Sequence, residues 1–322
     1  MLHSSDLLFN NSICDYTTTH CNEMCLSDSN LDSGTDLELR QHSLSSKVSS
    51  LIPLLTVEQP FAHFNMGLSA SEIDTLNKLH VKVPKDFSRM DFFYYGNLIN
   101  LYNETKTYLE LLSSENKEIS ESAAKLITNL TNAVMKANPK YTSAQINIRA
   151  YENYKAQFEY PNYEHYHWHI DPCLNELLAE KNCAGDEYAV VFTLKGAPTL
   201  FSQFETAQKR EEFLSQYSSE EFKKSGRIYI EKFASLEKSS AATVGDGTIF
   251  ATNGPRGDKA VLPSIHTAPT SKDVERLFIL ISPDYDSTFK DEASSYYWAL
   301  RDKPYNSNLH KIQKYYSTNM QE

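Results

Sequence analysis

Cysteine, glycine, tryptophan and positive charge are all scarce in this chain. Its 322 residues hold five cysteines: Cys14, Cys21, Cys25, Cys173 and Cys183. They are odd in number and unevenly placed, which rules out a disulfide framework and suits a reducing compartment. Lys and Arg together number 31 against 42 Asp and Glu, a net charge of −11. A binder that tracks a nucleic-acid backbone needs a basic surface, so that class is disfavoured and only a local basic patch is left room. No apolar run is long enough to cross a bilayer. The first residues carry no basic stretch followed by an apolar one, so no cleavable signal peptide is expected. The expectation is a soluble chain without a membrane segment, cytoplasmic or exported without a signal peptide. Glycine is limited to ten residues and tryptophan to two, whereas Tyr (20) and Phe (16) are plentiful. The apolar share of 40% suffices for a sizeable core.

Composition divides the chain into stretches. Residues 1–50 are rich in Ser, Asn, Thr and Asp, with scattered apolar positions, and read as a disordered tail. Cys14, His20, Cys21 and Cys25 lie in it at a spacing that fits no tight zinc knuckle. Residues 51–140 read as a helical lead-in packing on the core. Ser71 to Asp74 is suited to cap a short helix through His80. Leu98, Leu101, Tyr102, Leu109 and Leu112 recur at helical spacing. After a polar break at residues 113–116, Ile119, Ala123, Leu126, Ile127, Leu130 and Val134 do the same, until Asn138-Pro139 ends the run.

From residue 143 the period changes to two. In Gln145 to Tyr151, Ile146, Ile148 and Ala150 take one face, and Gln145, Asn147, Arg149 and Tyr151 the other. That polar face suits either water or the wall of a ligand cavity. Strands follow at 187–194, 199–201, 227–231, 248–251 and 276–282, with a charged helix inserted at 206–224. Short strands separated by turns describe a sandwich or jelly roll. Residues 286–322 form a C-terminal extension, with Tyr296, Tyr297 and Trp298 packing back on the core.

Three of the ten histidines fall in His165-Tyr166-His167-Trp168-His169-Ile170-Asp171. In a strand, His165, His167, His169 and Asp171 share one face. A His-x-Asp pair supplies two ligands of a mononuclear metal site, and His266 is the candidate third. Two imidazoles and one carboxylate leave coordination positions open, as in non-haem Fe(II) oxygenases, although zinc hydrolases use the same donors. His165 and His167 read as neighbours of the ligands, or as exposed residues. Arg276 stands ten residues after His266, at the start of an apolar strand. An unpaired guanidinium there is costly. It suits the far carboxylate of a dicarboxylic co-substrate, or an internal ion pair with Glu275 or Asp273.

The order His169-x-Asp171, then His266, then Arg276 resembles the Fe(II)/2-oxoglutarate-dependent oxygenase superfamily, in its prolyl-hydroxylase-like and AlkB-like motif order. Asn147 to Tyr151 resembles the first core strand of such proteins, and Gly245 to Phe250 leading to His266 and Arg276 resembles their closing strands. The resemblance covers roughly residues 140–285. It implies an α+β protein, mainly β with helical support, whose catalytic domain at 141–285 is a double-stranded β-helix (jelly roll). It also implies Fe(II) on His169, Asp171 and His266, and 2-oxoglutarate held by Arg276 with Tyr151, for oxidation by dioxygen. Many members carry Ser or Thr two residues after the Arg, where this chain has Phe278. Tyr151, Tyr188 or Thr193 are candidates to complete that pocket. Arg149 is a candidate for touching substrate or co-substrate, or a surface Arg. The prime substrate is unreadable between a protein side chain and a small metabolite. A zinc-dependent cupin-like or hydrolytic enzyme and a non-catalytic jelly-roll binder stay open as alternatives.

Overall fold

The computed structural model describes residues 33–84, 87, 89–113, 116–154, 168–171, 188–217, 230–252, 262–268, 274–284 and 305–319. The elements are, in order, α1 (Ser33–Leu51), β1 (Phe61–Phe64), α2 (Ala70–Lys78), β2 (Met90–Gly96), α3 (Leu101–Leu112), α4 (Lys117–Lys136), β3 (Ser143–Tyr154), β4 (Tyr188–Lys195) and β5 (Leu200–Ser202). After them come α5 (Ala207–Tyr217), β6 (Ser239–Ser240), β7 (Gly247–Ala251), β8 (Ile265–Thr267), β9 (Val274–Asp284), β10 (Tyr305–Ser307) and α6 (Leu309–Asn319).

Two antiparallel sheets face each other. The larger runs β1-β7-β4-β9-β3-β2-β10 and the smaller β6-β5-β8. Period-two alternation sorts the side chains of β3 between two environments. Ile146, Ile148 and Ala150 are fully buried in the large core under the helices, while Tyr151 belongs to a second cluster between the sheets. β4 alternates likewise, with Val190 and Phe192 toward the helices and Ala189 and Val191 toward the small sheet.

The helices cover the outer face of the large sheet. α4 starts on Asn116, whose side chain accepts from the Ile119 N–H, and has Lys136 in its last turn. Its buried stripe, Ala123, Leu126, Ile127, Leu130 and Val134, follows the helical period. Tyr108 of α3 is fully buried and donates its hydroxyl to the Met90 carbonyl at 2.7 Å, tying α3 to β2.

Several expectations are corrected here. Residues 33–50, assigned by composition to the tail, form most of α1, and Leu44 and Val48 are buried in the main core. Those two residues, four apart, give a seam too thin for composition to register. The lead-in is not purely helical, because β1 and β2 are strands of the large sheet. β2 reads Met-Asp-Phe-Phe-Tyr-Tyr-Gly, so aromatics on both faces hide its alternation. The extension after residue 286 contributes β10 at the sheet edge and α6. The lead-in and the extension thus supply strands to the same sheet as β3. The cap of α2 is Ser69, in a reciprocal box with Glu72. Ile230 and Glu231 lie in a helical turn, not a strand. The rest of the expected strand at 227–229, the end of the inserted helix, the tail cysteines, and Tyr296, Tyr297 and Trp298 lie outside the described residues.

The turn between β4 and β5 sets up the site. Gly196 has φ +79°, and a Cβ there would stand 2.2 Å from the Glu275 carbonyl oxygen and 3.0 Å from the Arg276 Cα. The turn thus presses on β9 where Arg276 begins to cross the cavity. Gly196→Ala combines left-handed strain with a backbone clash. The expected result is a loss of roughly 2–3 kcal/mol, read as a melting temperature lower by about 5 °C or more. An unchanged melting curve would show that the turn relaxes freely.

Candidate metal centre and its cavity

The segment 168–171 lies beside β8 through one bridge. The His169 N–H donates to the His266 carbonyl and the His266 N–H to the His169 carbonyl, each at 2.9 Å. This pairing sets the two imidazoles side by side, with ring centroids 4.3 Å apart. Asp171, two residues on, falls on the same face as His169. Its Oδ2 lies 3.4 Å from His266 Nε2 and its Oδ1 3.9 Å from His169 Nε2.

His266 is held from several sides. Its Nδ1 lies 3.1 Å from the Ser264 carbonyl, which makes that nitrogen a donor, and its Nε2 faces Asp171. That carbonyl is itself fixed. The Ser264 N–H donates to Ala251 and its hydroxyl to the Pro60 carbonyl. Phe201 stacks on the His266 ring at 5.3 Å and Phe250 tilts against it at 5.1 Å. His169 and Asp171 are each about a quarter exposed, so the group is rigid at its back and open at its front.

Burial pushes the Asp171 carboxyl up, but the charge and hydrogen bond of His266, with the charges of His169 and Arg149, outweigh it and hold the group below its usual range. It is ionised at neutral pH. One ligand atom from each of His169, Asp171 and His266 lies within 4.8 Å of the other two. Two imidazole nitrogens and an ionised carboxylate at this spacing fit a first-row divalent ion.

Arg276 and Tyr151 line the same cavity as this group. Arg276 is 1% exposed, so its charge sits among apolar side chains. Its Nε donates to the Ala197 carbonyl at 2.9 Å and an Nη to the Thr199 hydroxyl at 3.1 Å. Its guanidinium carbon lies 4.2 Å from the centre of the Phe278 ring and 5.8 Å from that of Tyr151. Tyr151 stands opposite Arg276 in the β3–β9 register. The alternative partner Glu275 points to the other face of β9, where it binds Lys195 and His80. Asp273 lies outside the described residues.

The candidates for completing the pocket are thereby sorted. Tyr188 packs on Tyr141 in the core beneath the helices, away from the cavity. Thr193 is buried but does not line the cavity. Arg149 does line it, 5.7 Å from the Phe278 ring centre and 4.0 Å from Asp91. Thr199 was missed by sequence reasoning. It follows the Gly196-Ala197-Pro198 turn, and only the fold of that turn onto β9 brings its hydroxyl to Arg276. Phe201 and Phe250, which clamp His266, were equally unreadable. His165 and His167 lie outside the described residues.

No protein-family model and no curated protein matches the chain. Solved structures similar to it include a full-length Neurospora crassa protein in complex with alpha-KG. That match has 11% identity and a TM-score of 0.36, over 88% of this chain and 91% of the other. A second is an oxidoreductase of the 2OG-Fe(II) oxygenase family from Burkholderia pseudomallei, at 9% identity and TM-score 0.37, over 78% of this chain and 93% of that one. A third is a Pseudomonas putida prolyl-4-hydroxylase, at 9% identity and TM-score 0.30, over 74% and 97%. At these identities and TM-scores the likeness assigns no residue a role.

Proposed function

We propose that the chain is an Fe(II)- and 2-oxoglutarate-dependent dioxygenase that hydroxylates a protein side chain or a small metabolite. One observation carries this reading. A two-histidine, one-carboxylate group and a buried guanidinium line one cavity between two sheets. The first feature alone suits a zinc hydrolase equally well; the pair suits a dicarboxylate that chelates the metal at one end and meets a guanidinium at the other.

The sheets fit a double-stranded β-helix. From β3 onward the chain crosses between them: segment 168–171 on the small side, β4 large, β5 and β6 small, β7 large, β8 small, β9 large. The site then sits at the open end between the sheets.

In this reading His169, Asp171 and His266 hold the metal, and His266 presents Nε2 because Ser264 takes its other nitrogen. Bound Fe(II) supplies the redox chemistry that converts substrate, dioxygen and 2-oxoglutarate into hydroxylated substrate, succinate and carbon dioxide. Arg276 binds the far carboxylate of 2-oxoglutarate, and Ala197 and Thr199 hold the guanidinium in place. Phe278 and Tyr151 shield that contact from water, which strengthens it. The departure at Phe278 is met by Thr199, which supplies the hydroxyl from the neighbouring sheet.

The test is succinate formation from 2-oxoglutarate by protein loaded with Fe(II) under nitrogen and then exposed to air. Succinate is expected even without a prime substrate. Zinc as the retained metal with hydrolase activity would overturn the reading, as would a folded protein that takes up no metal. Thr199→Val removes one hydrogen-bond partner of the guanidinium and should raise the KM for 2-oxoglutarate about tenfold, at little cost in kcat. Thr199→Ser should restore it. An unchanged KM would remove Thr199 from the pocket.

A further inference from the structure

The cavity has two ends, and in the proposed function the co-substrate accounts for one. Arg276 and Tyr151 stand opposite each other across β9 and β3 at that end. Four residues further along β9, about 13 Å at about 3.3 Å per residue, Leu280 stands between Asn147 of β3 and Val191 of β4. The next row with the same facing contains Ala189 opposite Phe250, whose ring tilts against His266. The Leu280 row therefore lies toward the metal ligands and away from Arg276.

Asn147 is the polar member of this row. Period two places it on the face away from Ile146 and Ile148, which are buried beneath the helices. It stands opposite Leu280 and two positions from Arg149, both of which line the cavity. It is 6% exposed, and its Oδ1 is buried without a hydrogen-bond partner among the described residues. Its neighbours across the row are Leu280 and, on β2, Phe93, whose side chains have no donor to offer. Buried polar atoms are nearly always paired, so a lone acceptor at the edge of a cavity points to a donor that arrives with a ligand. The last torsion of a carboxamide is broad and two-fold, so either end turns toward the cavity without moving the strand. Arg149 differs from it, because Asp91 and the Phe278 ring already engage its guanidinium.

The chemistry of the missing partner follows from the carboxamide. It carries an acceptor and a donor side by side, and an amide answers both from one plane. A carboxylate answers only the donor, and a hydroxyl reaches one end at a time. The apolar side chains of Val191, Leu280 and Phe93 around it favour an apolar body on the same molecule. Resting on the proposed function, we infer that Asn147 selects the prime substrate by pairing its carboxamide with an uncharged amide on an otherwise apolar part of that molecule.

The test uses the full chain loaded with Mn(II) in place of Fe(II) and saturated with 2-oxoglutarate, so that ligands bind without turnover. The probes are N-acetyl N-methylamides of the apolar amino acids. Each is compared with two esters, in which oxygen replaces one or the other N–H. Equilibrium binding is the readout. The best amide is expected to bind about tenfold tighter than one of its esters. Asn147→Leu should bring that pair to parity and leave the affinities for metal and 2-oxoglutarate as in the wild type. Without any probe, the same variant should melt about 2 °C higher, because leucine fills the place with no unpaired polar atom. Amides that bind no better than both esters, a preference that survives Asn147→Leu, or a variant that melts below the wild type would each overturn the inference. A fall in 2-oxoglutarate affinity in the variant would overturn it too, by putting Asn147 at the co-substrate's end. Failure of the functional reading shows separately, as absence of 2-oxoglutarate binding and of succinate in the wild-type protein.

Discussion

Asp171→Ala should strip the metal and with it all succinate formation, while the metal-free protein stays folded. The carboxylate sits between both imidazoles, 3.4 Å from His266 and 3.9 Å from His169, and the three form a compact donor set. It is the only anionic donor of the three. Partners that merely orient metal ligands are worth about 10–100-fold in affinity, so removing a ligand should cost more than about 100-fold. Asp171→Asn should fail almost as badly. It keeps the shape but not the charge, which separates coordination from packing. The metal-free variant should lose some stability, because Asp171 is mostly buried and its charge is held by both imidazoles, but it should still melt cooperatively. His169→Ala should behave like Asp171→Ala, whereas His165→Ala and His167→Ala should retain more metal. Metal content after dialysis, read beside the melting curve, decides the matter. Metal retained at the wild-type level by Asp171→Ala would sink the assignment.

The parts of this site that the sequence reveals are those a local period exposes. His169 and Asp171 share a face because strands have period two, and the bridge to His266 keeps them in that geometry. β3 is legible for the same reason, since Ile146, Ile148 and Ala150 alternate against Asn147, Arg149 and Tyr151. The helices α3 and α4 are legible because their apolar stripes are long and their breaks polar. His266 and Arg276 join the site through the order of residues that the resemblance supplies, since no local period connects positions about a hundred apart.

What stays hidden depends on contacts between distant segments. Thr199 reaches Arg276 only because the Gly196 turn folds onto β9. Phe201 and Phe250 are ordinary strand aromatics until the sheets close around His266. Tyr188 and Val191 differ by an odd number of positions, which puts them on opposite faces, but only the sheet packing says which face is the cavity. β1, β2 and β10 escape for a related reason. They are short or aromatic on both sides, and their identity as strands comes from pairing with β7, with β3 and with β2 itself. α1 escapes because its described anchor to the core is narrow, with Leu44 and Val48 the buried hydrophobic residues among those described.

Arg276→Ala should weaken 2-oxoglutarate about 100-fold or more and leave the metal in place. Hydrogen bonds to a charged partner contribute about 1.5–3 kcal/mol, and shielding by Phe278 and Tyr151 favours the upper end. Loss of about 3 kcal/mol corresponds to a factor of more than 100. The variant also has a folding cost, which must be read separately. The guanidinium is 1% exposed and donates to the Ala197 carbonyl and the Thr199 hydroxyl, so its removal leaves one buried and one partly buried acceptor and a void beside Phe278. A loss of about 2–4 kcal/mol is expected from those terms, seen as a lower melting temperature. Arg276→Lys restores the charge but not the fork, so it should recover part of the binding and little of the contact with Thr199. The decisive pattern is a split between the two ligands, with metal titrating as in the wild type and 2-oxoglutarate failing to saturate. If the metal is lost together with the co-substrate at a temperature where the variant is still folded, Arg276 supports the cavity wall rather than binding the carboxylate. If both bind normally, the buried charge serves only its own sheet, and the co-substrate must be held elsewhere in the cavity.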